Sequence, residues 1–156
     1  MKPNKITPAL WFFVPEGKAE HVTRYYREVF KDDFSSEIPI PLGETPGGNA
    51  EMCTIRFFGQ EYLIMSTSKE HHPFNDAFAI VLRCSNQEEI DAYWDYFTKE
   101  GKESQCGWCQ DRFGLRWQII PENMGDLLRT PNANSVMMKQ KKIVVSEYRS
   151  SDAAIG

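Results

Sequence analysis

The chain repeats one pattern of elements, and that repetition constrains the fold more than any single residue does. In "KAEHVTRYYREVF" (18–30), Val22, Tyr25, Tyr26 and Val29 fall at offsets 0, 3, 4 and 7, one apolar stripe of a helix. In "NQEEIDAYWDYFTK" (86–99), Ile90, Tyr93, Trp94 and Phe97 fall at the same offsets, and Ser85 with Glu88 has the spacing of a capping box. An apolar strand candidate precedes each helix, "ITPALWFFV" (6–14) and "AFAIVLRC" (77–84). Each half then ends on a strand opened by Phe-Gly and an aromatic three residues on: Phe58, Gly59 and Tyr62, then Phe113, Gly114 and Trp117. The repeating unit therefore reads strand, helix, three strands. Each unit would cover one sheet face with its helix and leave the other to curl around a cavity.

The expected organisation is one domain spanning 1–156, with a first module over about 5–66 and a second over about 74–121, joined by "STSKEHHPFND" (66–76). The Gly- and Pro-rich stretch "PIPLGETPGG" (39–48) is expected to be a loop long enough to lid a pocket. From 122 onward, "ENMGDLLRT" and "ANSVMMKQKKIVV" suggest two short helices packed outside the repeats or against a partner subunit, and the final "SSDAAIG" is expected to be mobile.

At 156 residues the chain can bury a core without a metal or a disulfide staple. Net charge is −4 and the basic residues are dispersed, apart from Lys139, Lys141 and Lys142, which argues against a nucleic-acid partner. "MKPNKITPALWFFVPEGK" has an apolar run of about seven residues with no small-residue cleavage site, and no run approaches the roughly 18 apolar residues of a membrane span, so no membrane association and a cytoplasmic location are expected. The four cysteines are then expected to stay reduced, Cys53 and Cys84 serving as small core residues.

Cys106 and Cys109 have C-x-x-C spacing, yet a strand directs residues three apart to opposite faces unless Gly107 or Trp108 bends it. Redox pairs of this spacing sit at a helix N-terminus, and here a turn and a strand follow. Two cysteines also fall short of a zinc site, which needs two more converging ligands.

Five stretches in order, "ITPALWF" (6–12), "YYREVF" (25–30), "FNDAFAI" (74–80), "NQEEIDAYWDYF" (86–97) and "QCGW..DRFGLRWQIIP" (105–121), resemble the PhnB-like branch of the vicinal-oxygen-chelate superfamily, which includes glyoxalases, extradiol dioxygenases and bleomycin-resistance proteins. The resemblance implies an α+β fold of two βαβββ modules forming an eight-stranded curved cup, within a homodimer. Many such relatives carry the name 3-demethylubiquinone-9 3-methyltransferase. The chain has no glycine-rich turn between a strand and a helix that a methyltransferase of the dinucleotide-like fold would use, since its glycine pair, Gly47 and Gly48, precedes a strand.

Metal-dependent members of the superfamily draw His, Glu or Gln ligands from the first and last strands of each module. Here the first strand offers Thr7, Ala9 and Trp11 on one face and the fifth offers Ala77 and Ala79; the last strands offer a position near Leu63 and Gln118. Gln118 alone could coordinate, and one neutral amide does not hold a divalent ion in water. No cofactor is therefore expected. A different site could draw on Glu61, Asp76, His71 and His72, although adjacent linker histidines are expected to be solvated. The remaining histidine, His21, lies on the first helix, so no nucleophilic triad can be assembled by pattern.

The expected function is binding of a small apolar or aromatic molecule in a mostly apolar cup. Trp11, Met65, Trp108, Arg116 and Gln118 are its candidate contacts, the last two supplying hydrogen bonds. The alternative is a metal-dependent lyase, isomerase or dioxygenase with an atypical ligand set; a third reading is a dimeric interaction module whose cup is filled by its own side chains.

Overall fold

The two stripes become two helices, each backed by a mixed sheet, in a computed structural model that describes residues 4–148. The chain divides into two compact units, Met1–His72 and Pro73–Gly156. The first holds β1 (Ala9–Phe13), α1 (Glu20–Phe30), β2 (Phe34–Ser36), β3 (Ile40–Thr45), β4 (Gly48–Phe57) and β5 (Gln60–Thr67). The second holds β6 (Ala79–Cys84), α2 (Gln87–Lys99), β7 (Lys102–Glu103), β8 (Trp108–Gln110) and β9 (Arg116–Pro121), then α3 (Met124–Leu127) and α4 (Ala133–Lys139).

The first sheet runs β1-β5-β4-β2, with β3 also on β4; the second runs β6-β9-β8-β7. Strands β2 and β3 share one edge of β4, where Phe34 faces Phe57 and Ile40 faces Met52, and Glu37 N–H bridges the gap by donating to Thr54 O at 2.9 Å. They form one interrupted edge strand. Counted so, both sheets have the order first, fourth, third, second, with the first and last strands parallel and the other pairs antiparallel. The βαβββ repeat is thus present twice, in eight strand positions.

The stretch 39–48 is consequently no lid: residues 40–45 pair with β4, and the turn at Thr45–Gly48 closes a hairpin. Pro41 is tolerated because β3 lies at an edge and its register shifts between Pro41 and Gly43.

Helix α1 buries Val22, Tyr25, Tyr26 and Phe30, while Val29 stays half-buried. The stripe ends on Phe30, one residue later than the offsets predict. Tyr26 and Phe30 pack on Phe57 with ring centroids 4.9 and 5.3 Å apart, alongside buried Leu10, Phe12, Ile55 and Ile64. Aromatic pairs in such tilted arrangements add stability beyond the area they bury. In α2 the cap is Asn86 rather than Ser85: its Oδ1 accepts Glu89 N–H at 2.9 Å, and Glu89 Oε1 accepts Ser85 N–H at 3.0 Å. The reciprocal logic of a capping box holds with the acidic partner at 89 and the pattern shifted by one. Ile90, Trp94 and Phe97 are buried, and Phe97 stacks on Trp117 with centroids 4.7 Å apart.

Residues beyond β9 belong to the second unit. Met124, Leu127, Ala133, Ile143 and Tyr148 form a small core with Ile120 and Val136 packed against it. The stretch "SSDAAIG" lies outside the described residues. Among the described residues no helix is long and apolar enough to cross a membrane.

Candidate functional site

In the first unit, strand alternation separates a helix-covered face from a helix-free one. Leu10, Phe12, Tyr62 and Ile64 are buried toward α1; Trp11, Leu63 and Met65 lie on the other face, half-buried. Register aligns Trp11 with Met65, Met65 with Met52, and Met52 with Ile40, a row of four large apolar side chains across four strands. Trp11 and Met65 are therefore brought together. Met52 joins them, a residue the alternation of β4 could have revealed had 39–48 been read as a strand.

Both ends of Trp11 are held. Its indole N–H donates to Thr67 Oγ1 at 2.8 Å, and the His71 imidazole stacks on it with centroids 3.4 Å apart and planes 22° from parallel. His71 is thus half-buried rather than solvated; its Nδ1 is buried and has no hydrogen-bond partner among the described residues, and His72, which is exposed, meets it edge-on at 5.1 Å. Neither Thr67 nor the stacking of His71 was visible in the sequence, because both contacts join residues more than fifty positions apart.

In the second unit, Val81, Gln118 and Trp108 form one cross-strand row and Ala79, Arg116, Gln110 and Lys102 the next. Trp108, Arg116 and Gln118 therefore share the face opposite α2, on which the next residue of that face along β9, Ile120, packs against the core formed by α3, α4 and the C-terminal segment. Arg116 is largely committed: Nε donates to Asp76 Oδ1 at 2.7 Å, and Nη1 donates to Phe74 O and Gly114 O, both at 2.9 Å. It clamps residues 74–76 to the end of the sheet, with a side chain only 15% exposed. The Gln118 amide makes no hydrogen bond among the described residues and is half-buried, so it can turn both a donor and an acceptor toward a ligand.

The donor set does not fit the superfamily's metal. Glu61 accepts Thr7 Oγ1–H and Arg56 Nη2–H, each at 3.0 Å, so both carboxylate oxygens are engaged. Asp76 is paired with Arg116. At the strand positions that would supply ligands stand Ala9, Leu63, Ala79 and Gln118, of which the Gln118 amide alone could coordinate. Among the described residues no group of three or more His, Cys, Asp or Glu is placed to hold an ion.

The cysteines are unpaired thiols. The chain bends between Cys106 and Cys109: Cys106 and Gly107 have φ of 58° and 83°. Burial pushes the Cys109 thiol up to about 12, with the Asp111 and Glu103 charges adding to it. A thiol held protonated in this way is a poor nucleophile. Cys106 is half-buried beside Met138, its Sγ 3.9 Å from the Met138 sulfur.

Family and structural comparisons follow the same outline. The family model described as 3-demethylubiquinone-9 3-methyltransferase matches residues 4–120. A putative 3-demethylubiquinone-9 3-methyltransferase, PhnB protein, from Bacillus cereus is similar at 25% identity and a TM-score of 0.62, over 75% of this chain and 99% of that one. The Pseudomonas aeruginosa protein PA1353 shares the fold at 16% identity and a TM-score of 0.56, over 76% and 98%. The fosfomycin resistance protein FosX of Listeria monocytogenes does so at 11% and 0.54, over 83% and 99%. No curated protein matches the chain.

Proposed function

The chain belongs to the 3-demethylubiquinone-9 3-methyltransferase family, the PhnB-like branch of the vicinal-oxygen-chelate superfamily, and from that premise we propose that it is a cytoplasmic homodimer that binds a small, largely apolar molecule without the superfamily's metal. The observation that carries this reading is the row Trp11, Met65, Met52 and Ile40 on the face of the first unit's sheet opposite α1. Apolar walls with a few placed polar groups are the usual form of a small-molecule site. On the second unit's face opposite α2, Trp108 supplies an apolar surface and Gln118 the hydrogen bonds; Arg116, whose Nη2 has no partner among the described residues, adds one donor direction. The methyltransferase name gains no support, because each sheet contains a single parallel strand pair instead of the parallel array of a dinucleotide-type fold.

The test is a screen of apolar and aromatic fragments by ligand-detected NMR, with metal analysis of protein purified without chelator. The reading expects fragment binding on the first unit that Trp11→Leu weakens about tenfold, or on the second that Gln118→Ala weakens about tenfold, in either case the loss of roughly 1.4 kcal/mol of contact, and metal well below one ion per chain. Stoichiometric metal, or binding indifferent to both substitutions, would overturn it.

A further inference from the structure

Trp11 is a fixed platform. Its N–H is tied to Thr67 Oγ1, and the hairpin turn passes so near its six-membered ring that a Cβ on Gly47 would lie 3.2 Å from Cζ2. The ring that covers this platform is held differently. His71 is stacked at 3.4 Å, but its Nδ1 is buried without a partner among the described residues, and a buried polar nitrogen with no hydrogen bond opposes the contact that buries it. The backbone tethers also stop just before it. Ser68 N–H donates to Asn49 O and Lys69 N–H to Gly47 O, each at 3.0 Å, whereas Glu70, His71 and His72 exchange no backbone hydrogen bond among the described residues.

We propose that this face of Trp11 is a stacking subsite for a planar aromatic or heteroaromatic ligand, and that the His71 imidazole is a displaceable plug occupying it in the ligand-free protein. The inference rests on the reading that the helix-free face of the first unit binds a small molecule, and it narrows the ligand to one with a flat ring. Next to Trp11 in the cross-strand row stand Met65 and Met52, sulfur-bearing side chains of a kind that adapts to flat apolar partners. Displacement returns Nδ1 to water, so the ligand replaces a stacked ring carrying an unsatisfied nitrogen with one that need not carry it.

The experiment measures 1-naphthol affinity by calorimetry for the native protein, His71→Ala, His71→Phe and Trp11→Leu, alongside NMR of the His71 ring protons without ligand. Removing the plug should tighten binding about three- to tenfold in His71→Ala, since part of the apparent affinity is spent opening the site. His71→Phe, a plug with no stranded nitrogen, should bind more weakly than the native protein, and Trp11→Leu should lose the site. Without ligand, the His71 ring protons should lie upfield through the Trp11 ring current and return to ordinary positions in Trp11→Leu. Weaker binding by His71→Ala, or unshifted imidazole protons, overturns the plug. Naphthol binding that perturbs Trp108 and Gln118 but ignores all three substitutions overturns the plug and leaves the broader reading standing. An upfield-shifted imidazole with no naphthol binding to any of the four proteins overturns both the plug and the ligand-binding reading of the first unit.

Discussion

Asp111 accepts the indole N–H of Trp117 through Oδ2 at 2.9 Å, while its Oδ1 takes the backbone N–H groups of Phe113 and Leu115 at 2.8 and 3.1 Å. One buried carboxylate thereby sets the turn between β8 and β9 and the orientation of the ring on which α2 packs. The "DRFGLRWQ" part of the family pattern therefore has a structural explanation at both Asp111 and Trp117.

Asp111→Ala strands three donors and is expected to cost about 3 kcal/mol, read as a lowered urea midpoint. Asp111→Asn should recover little of it. The two carboxylate oxygens both accept, whereas an amide has a single oxygen and would turn its NH2 toward one of the donors.

Alkaline pH should weaken the fold through Cys84 and Cys109. Burial pushes both thiols from 9.0 up to about 12, with Glu89 and Glu122 adding to the rise at Cys84. As pH climbs past the ordinary thiol value the unfolded chain releases protons that the folded chain keeps, so stability falls. The slope reaches about 1.4 kcal/mol per pH unit for each thiol and ends only as pH reaches the folded values. Urea titrations from about pH 8 to about pH 11 should show this decline, and the Cys84→Ala, Cys109→Ala double variant should make it shallower, leaving the part due to Cys53, Tyr62 and Tyr148, which burial also pushes up. Under native conditions near neutral pH, Ellman's reagent should react with Cys106 well before Cys109.

Gln87 pins the C-terminal segment to α2. Its Nε2 donates to Ile143 O at 2.9 Å and its Oε1 accepts Val145 N–H at 2.9 Å. Beside it, Lys142 Nζ lies 2.9 Å from Asp91, whose carboxyl is held below its ordinary range first by the hydrogen bond from Gln87 and then by Lys142. Gln87→Ala is expected to cost about 1–2 kcal/mol and to accelerate amide exchange at Val145, which hydrogen-exchange NMR would resolve.

The limits of sequence reading show in particular residues. Val22, Tyr25 and Tyr26, like Ile90, Trp94 and Phe97, mark helix faces because a side chain's place on a helix follows from local spacing alone. Strand β3 was hidden because Pro41 and Gly43 are ordinary loop residues, and a partner strand is what makes them an edge. The candidate contacts divide in the same way. Alternation put Trp11 on one face with Thr7 and Ala9, but only the register of the sheets sets Trp11 beside Met65 and Trp108 beside Gln118, and only tertiary contacts show that Arg116 spends most of its donors on residues 74–76 and Gly114.

By itself, the sequence determined two βαβββ units and the buried faces of their two helices, since both follow from periodicities of a few residues. Tertiary structure alone decided what the strand side chains meet: His71 on Trp11, Thr67 on the indole N–H, and Asp76 on Arg116. Such contacts are made across forty to sixty positions of chain, and whether a group is a ligand donor, a clamp or a plug depends on which neighbours have already used its hydrogen bonds.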